Sequence, residues 1–222
     1  IDVVGVSTFA GRMNVNSTLE INEGLNATAG VATFANGLKV SGSQLLVGTG
    51  VTIGIAGIAT FRSGRIDVGD SLFNTSIGEL AGDAITTGAQ NTGVGYNALS
   101  ANTTGSYNVA IGDNALSANT TAESHVAVGN NALAANTTGD SNTAVGGNAL
   151  DANTTGDSNT AVGRHALGAN TTANDNSAFG HSALKANTTG TRNNSFGMAA
   201  LELNTTGAYN AAFGYASLYN NT

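Results

Sequence analysis

The sequence predicts an all-β protein with a parallel β-roll, a form of β-solenoid, over residues 71–222. Three observations support this prediction: a fixed repeat of 17 residues, short stretches in which small and apolar residues alternate, and a composition rich in turn-forming residues. Gly supplies 31 of the 222 residues, whereas Pro, Cys and Trp are absent. A chain without Cys has no thiol for a disulfide framework or a zinc-thiolate site, so disulfide-stapled modules and zinc fingers are excluded.

The repeat begins at Ser71 and continues to the end of the chain as nine copies, of which the last is one residue short. We number the positions of each copy from 1 to 17, and the copy at 139–155 reads GDSNTAVGGNALDANTT. Position 4 is Asn in every copy except one, which has His125, position 8 is always Gly, and position 12 is Leu in eight copies. A unit of this length is too short for two packed helices. Each copy is therefore predicted to form one rung of a parallel solenoid, with a rise of about 4.8 Å per rung.

The pattern within one rung predicts which residues form strands and which form turns. Positions 4–7 are predicted to be a strand, position 8 a corner, positions 11–14 a second short strand and positions 15–17 a turn. We expect the apolar residue at position 7 to face the interior and the Asn side chains at positions 4 and 15 to hydrogen-bond from rung to rung. Position 6 carries small residues such as Ala110 and Ala144, which point the opposite way. Because one rung buries little apolar surface, we expect several chains to pack around this row of small residues.

The N-T-A-V-G-x-x-A-L part of the rung resembles the head repeats of trimeric autotransporter adhesins, which form left-handed parallel β-rolls. It is still more similar to the GxxNTAVGxxALxANTT arrays of bacteriophage tail-fibre and other virion proteins. The resemblance covers residues 71–222 and is specific for architecture, because nine copies agree. It implies a homotrimer and a role in a fibre or in surface attachment.

Residues 1–70 follow a looser pattern, in which GVSTF, GVATF and GIATF are each followed by a short alternating stretch. Alternation predicts half-buried strands, so we interpret this region as a β-rich trimeric stem. The GV(A/S)TF segments are similar to segments of virion proteins from phages of marine cyanobacteria, which favours a viral source.

The distribution of charge excludes some classes of partner. The net charge is −7, and residues 66–163 contain nine acidic residues and no basic one, whereas nucleic-acid binding needs clustered Lys and Arg. The longest nearly uncharged apolar stretch, at 51–61, is much shorter than the roughly 20 residues that span a bilayer. We therefore expect no nucleic-acid partner and no membrane insertion.

Few residues are candidates for chemistry. Asp140 and Asp157 occupy position 2 of successive rungs, at a separation that suits a retaining glycosidase or a surface cation, although turn formation explains both more simply. His125 would bind a metal ion or an anion if three copies met on a threefold axis. The sequence contains no triad-like arrangement and no phosphate-binding loop, so we expect neither enzymatic activity nor a cofactor.

Aromatic residues gather toward the C-terminus, where Tyr215 and Tyr219 are the predicted contacts for a host cell-surface glycan, or else seal the last rung. Together these features predict a structural protein of the virion, a trimeric tail-fibre shaft or receptor-binding segment that attaches to a bacterial host. The alternatives are an adhesin head on a bacterial surface, an ice-binding protein with Thr at positions 16 and 17, and a capsule depolymerase spike. Adjacent Thr residues in a strand face opposite sides, which argues against ice binding.

Overall fold

The computed structural model describes residues 72–221, so the predicted stem at 1–70 lies outside the described residues. Each rung contributes one short strand, and the nine strands pair in chain order into a single parallel sheet. This arrangement confirms the parallel β-solenoid, and the described residues contain no helix. The strands are β1 (Thr75–Ile77), β2 (Thr92–Val94), β3 (Val109–Ile111), β4 (Val126–Val128), β5 (Thr143–Val145), β6 (Thr160–Val162), β7 (Ser177–Phe179), β8 (Asn194–Phe196) and β9 (Ala211–Phe213).

The strands pair in register, so equivalent positions of the repeat lie directly above one another. Ala144 of β5 pairs with Ala127 of β4 on one side and with Ala161 of β6 on the other. Each pair is separated by one repeat, because a rung of constant length brings the chain back to the same point of the coil. The constant 17-residue period of the sequence therefore corresponds to the in-register pairing of the strands.

The interior of the coil is filled by Ala at positions 6 and 11 and by Leu at position 12. Ala144, Ala149 and Leu150 have no exposed surface, and most of the equivalent residues from Ala98 to Ala212 extend one continuous apolar cluster. A Cβ added to Gly93, at position 6 of the second rung, would lie 3.6 Å from Cδ1 of Leu99. Position 6 therefore faces the Leu side chain across a thin interior, where a methyl group fits.

The predicted facing of positions 6 and 7 is wrong. Position 6 points into the interior of its own coil, and position 7 points outward, so that Val145 is half-buried and Phe213 is 69% exposed. The Leu at position 12 leaves no room opposite it for Val, Ile or Phe, whereas these side chains are accommodated outside. The small residues at position 6 consequently cannot form the contact between chains that the sequence suggested.

The second predicted strand is also wrong, because positions 9–14 form turns. Asn148 and Leu150, at positions 10 and 12, have φ of 57° and 51°, in the left-handed region. Such a conformation costs a Leu about 1–2 kcal/mol, and its complete burial contributes about 1.5–3 kcal/mol in the other direction. The turns remain hydrogen-bonded between rungs, because Leu150 N–H donates to the Ala166 carbonyl at 3.1 Å.

Two columns of buried Asn side chains, at positions 4 and 15, hydrogen-bond from rung to rung as predicted. Asn159 Oδ1 accepts from the Asn176 backbone N–H at 3.0 Å, and Asn170 Nδ2 donates to Asn153 Oδ1 at 2.9 Å. The Nδ2 groups of Asn159 and Asn170 also converge on one carbonyl, that of Ala173, at 2.8 and 3.1 Å. Across residues 72–221 no buried side-chain nitrogen or oxygen lies beyond hydrogen-bonding distance of a partner, so the polar interior is stable.

The Gly at position 8 forms the corner of each rung, as predicted. Gly146 has a φ of 134°, and a Cβ added there would lie 2.7 Å from the carbonyl carbon and oxygen of Gly163 in the next rung. We expect Gly146→Ala to lower the free energy of unfolding by at least about 2 kcal/mol, because the methyl group forces the rungs apart. Gly147→Ala is the matched control, since its Cβ would meet only the Asn130 carbonyl oxygen at 3.9 Å. Equal midpoints in urea denaturation would contradict this prediction.

Candidate interaction surface

The side chains at positions 5 and 7 of the nine strands form one continuous surface, which we call the outer face. Position 7 is apolar throughout, and position 5 is Thr, Val, Ser, Ala or Asn, so the outer face contains no charged residue. This neutral strip contrasts with the net charge of −7 of the chain. The position 7 residues are Ile77, Val94, Ile111, Val128, Val145, Val162, Phe179, Phe196 and Phe213.

Three Phe rings stack at the C-terminal end of the outer face. The ring centroids of Phe179 and Phe196 are 4.7 Å apart, those of Phe196 and Phe213 are 5.1 Å apart, and the planes are within 6° of parallel. In-register pairing of β7, β8 and β9 produces this stack, because it places the three side chains directly above one another. The rings are 36%, 36% and 69% exposed in the single chain, so they form a contiguous apolar patch that its own fold does not cover.

Sequence reasoning missed the outer face because it placed position 7 in the interior. A usable signal was present: position 7 is Ile or Val in the first six rungs and Phe in the last three, whereas Ala at position 11 and Leu at position 12 hardly vary. A close-packed interior does not accept such changes in volume, but an outward-facing surface does.

The two predicted glycan contacts, Tyr215 and Tyr219, lie on the surface of the last rung. Tyr215, at position 9, is 76% exposed, and Tyr219, at position 13, is 37% exposed. Tyr209 on the same rung is also exposed, and its hydroxyl accepts a hydrogen bond of 2.6 Å from Arg192, whose guanidinium lies 5.5 Å from the ring centroid. The last rung therefore presents aromatic rings at several of its outward positions.

His125 lies inside its own coil, where it replaces an Asn of the position 4 column. Its Nδ1 accepts from the Asn142 backbone N–H at 3.1 Å, and its Nε2 lies 3.2 Å from Asn136 Nδ2. Burial lowers the pKa of His125 to about 4, against the weaker opposing effects of hydrogen bonds and of nearby Asp140 and Asp157. The ring therefore does not reach an axis between chains, and both of its nitrogens face protein groups.

Asp140 and Asp157 at position 2 support the backbone of the preceding rung. Asp140 Oδ1 accepts from the Glu123 N–H at 2.8 Å, and Asp157 Oδ1 accepts from the Asp140 N–H at 2.7 Å. Asn174 continues the series, because its Oδ1 accepts from the Asp157 N–H at 2.8 Å. Among residues 72–221, no group of three or more His, Cys, Asp or Glu side chains is placed to hold a metal ion.

The Thr pairs at positions 16 and 17 lie in a turn, so the strand-based argument that their side chains face opposite sides does not apply. The position 16 hydroxyl is used in stacking the rungs: Thr154 Oγ1 donates to the Thr171 carbonyl at 3.1 Å. The backbone N–H groups of Thr154 and Thr155 donate to the same carbonyl at 2.8 and 3.2 Å. The Thr at position 16 therefore stabilises the stacking of successive rungs.

Comparisons with known proteins bring no relative: no family model, no curated protein and no solved structure matches the chain. No helix within the described residues is long and apolar enough to cross a membrane.

Proposed function

We propose that the chain is a trimeric shaft or receptor-binding segment of a bacteriophage tail fibre, which is carried on the virion and attaches to a bacterial surface. The observation that supports this proposal most strongly is the outer face, an uncharged apolar strip that runs along all nine strands and is uncovered in a single chain. Nine strands at about 4.8 Å make this strip about 40 Å long. A solenoid with such a face is suited to packing against copies of itself.

A second copy of the chain is the partner that suits the outer face. Its rows of side chains recur at the same rise, so two copies stay in step along their whole length. A neutral face also avoids the repulsion that two acidic chains would otherwise experience. The number three is suggested by the resemblance of the repeat to phage-fibre and adhesin arrays, and the proposal assigns the chain no enzymatic activity and no cofactor.

The first test places a charge on the outer face. We expect the native chain to be a trimer and Val145→Glu to be a monomer that keeps its solenoid, because three carboxylates would enter a desolvated contact. Ala134→Glu adds the same charge at position 13, away from the outer face, and is expected to leave the trimer intact. Light scattering and circular dichroism measure the two properties. A monomeric native chain, or trimers in both variants, would contradict the proposed assembly.

The second test concerns attachment. We expect replacement of both Tyr215 and Tyr219 by Ser to leave the trimer intact but to reduce adsorption to host cells or to a glycan array by at least about tenfold, since three weak contacts act together. Tyr96→Ser is the matched control, because Tyr96 is also exposed at position 9 but lies in the second rung. Unchanged adsorption of the double variant would show that the two tyrosines only seal the last rung.

A bacterial adhesin head is the second candidate function, because the same outer face suits a trimer on a cell surface. A coiled-coil stalk and a membrane anchor encoded in the same gene would favour it over the tail fibre.

A further inference from the structure

A shallow cavity of about 270 Å³, which we call the notch, lies at positions 10, 13 and 14 of the fifth to seventh rungs, away from positions 5 and 7 of the outer face. It exists because Gly168 has no side chain between those of Asp151 in the rung before and Lys185 in the rung after. The notch is smaller than the roughly 300–1,000 Å³ of most sites for drug-sized ligands, so it suits one small group. Its lining residues are Asn148, Asp151, His165, Gly168, Ala169 and Lys185.

The fold does not require the Gly that opens the notch. Gly168 is the only Gly at position 13 of the nine copies, and its φ lies outside the left-handed region. A Cβ added there would meet its nearest neighbours, Asp151 Oδ1 and the His165 carbonyl oxygen, at 3.4 Å, which is an ordinary contact. His165 is a second departure in the same place, because position 10 is Asn in the four preceding rungs. Two departures from the repeat thus meet at one point of the surface.

One side of the notch is basic, although the chain is acidic. The described residues contain three Lys and Arg side chains, and two of them, Arg164 and Lys185, are close enough to influence His165. Desolvation, and then the charges of Arg164 and Lys185, lower the pKa of His165, and the His181 ring lies edge-on at 6.3 Å between centroids. Lys185 forms no ion pair within residues 72–221, so its ammonium group is available to an anion.

The other side of the notch presents an acceptor and a donor. Burial raises the pKa of the half-buried Asp151 carboxyl. This carboxyl forms no ion pair in the described part of the chain. Asn148 Oδ1 accepts from Asn131 Nδ2 at 3.5 Å, whereas its own Nδ2 has no protein acceptor among residues 72–221. Both groups are therefore able to bond ligand hydroxyls.

We propose that the notch binds one carboxylated sugar unit of an acidic polysaccharide, with the carboxylate toward Lys185 and His165 and the hydroxyls toward Asp151 and Asn148. This inference deepens the proposed attachment function and rests on it. A bound carboxylate favours the protonated imidazole, so binding strengthens as pH falls toward the pKa of His165. Asp151 supports that protonation, whereas the charges of Arg164 and Lys185 oppose it.

The test titrates the full chain with a glucuronic acid trisaccharide and with a neutral glucose trisaccharide in a calorimeter. We expect saturable binding of the acidic probe alone, at least about tenfold weaker in Gly168→Glu, which fills the notch with a like charge. Glu202 occupies position 13 two rungs further on, so the fold accepts Glu there. We expect Lys185→Gln to weaken binding of the acidic probe about fivefold, which corresponds to the loss of one of the stronger exposed ion pairs. Ala134→Glu, which introduces the same side chain at position 13 outside the notch, is expected to bind as the native chain does.

Absence of saturable binding by the acidic probe, equal affinity for the neutral probe, or equal affinity of Gly168→Glu and Ala134→Glu would each overturn the inference. Adsorption to cells, measured separately, distinguishes an error in the notch proposal from an error in the proposed attachment function. A chain that binds the acidic probe but never adsorbs to cells has the notch site without the attachment role. A chain that adsorbs to cells equally well with and without Gly168→Glu, and does not bind the probe, attaches through another surface.

Discussion

Ala144→Arg is expected to prevent the solenoid from folding, whereas Val145→Arg leaves the fold of the single chain intact. The two residues are neighbours in β5 and point to opposite sides of the strand. Ala144 has no exposed surface and faces the Leu column, so an Arg at this position buries a charge without a partner and overfills the interior. We expect a loss of at least about 5 kcal/mol, which is the exceptional end of single substitutions.

Circular dichroism and urea denaturation of the two variants, each compared with the native chain, measure this difference. Val145→Arg is the matched control, because it adds the same side chain one residue away on the outer face. We expect it to retain the β-solenoid spectrum while weakening association between chains. A folded Ala144→Arg variant, or the same loss of structure in both variants, would contradict the facing of β5.

The second large effect is expected at His125, where replacement by Asn should stabilise the chain increasingly as the pH falls. In the native chain Nδ1 of the His125 ring takes the place of the Oδ1 acceptor of an Asn at position 4. It accepts a hydrogen bond of 3.1 Å from the Asn142 backbone N–H. Nε2 of the ring lies 3.2 Å from Asn136 Nδ2, which is itself a donor, so the two nitrogens cannot hydrogen-bond to each other while Nδ1 is the acceptor. Protonation of Nδ1 removes the acceptor for the Asn142 N–H as well.

The direction of the pH dependence follows from the lowered pKa. The pKa of His125 is about 4 in the folded chain, against the ordinary value of 6.5, so the unfolded chain binds more protons between these values. The stabilisation by the neutral His is complete above the ordinary value and is lost as the pH falls toward about 4. We expect the loss to reach roughly 1.4 kcal/mol at about pH 5.5 and roughly 3 kcal/mol at about pH 4.

The difference in unfolding free energy between His125→Asn and the native chain, measured across this pH range, isolates His125 from the carboxyl groups common to both proteins. Asn142→His is the reciprocal control, because it puts the same ring at position 4 of the next rung and should introduce a pH dependence of the same sign. A difference that stays constant from about pH 7.5 to about pH 4 would show that His125 is not held neutral by burial.

The amino-acid sequence by itself determined the parallel, in-register stacking of the rungs. A constant 17-residue period returns the chain to the same point, so identical residues lie above one another whatever the shape of the rung. The Asn columns at positions 4 and 15 and the Gly corner at position 8 follow from the same fact. A side-chain amide can bond its copy in the next rung, and a corner such as Gly146, whose Cβ would meet Gly163, excludes a side chain.

Only the tertiary structure decided which side of each strand faces inward. The alternation of side chains along a strand shows that Ala144 and Val145 point to opposite sides of β5. It does not show which of the two sides faces the interior, because the pattern is the same for either choice. The Leu at position 12 settles the choice, because its side chain crosses a thin interior and leaves space only for a small side chain such as that of Ala144 or Ser195. That contact depends on the turns at positions 9–14, where Leu150 adopts a left-handed backbone that its propensity does not predict. The outer face is the side of the strands that the Leu column leaves outside, and the notch forms because stacking places Gly168 between Asp151 and Lys185 of the neighbouring rungs.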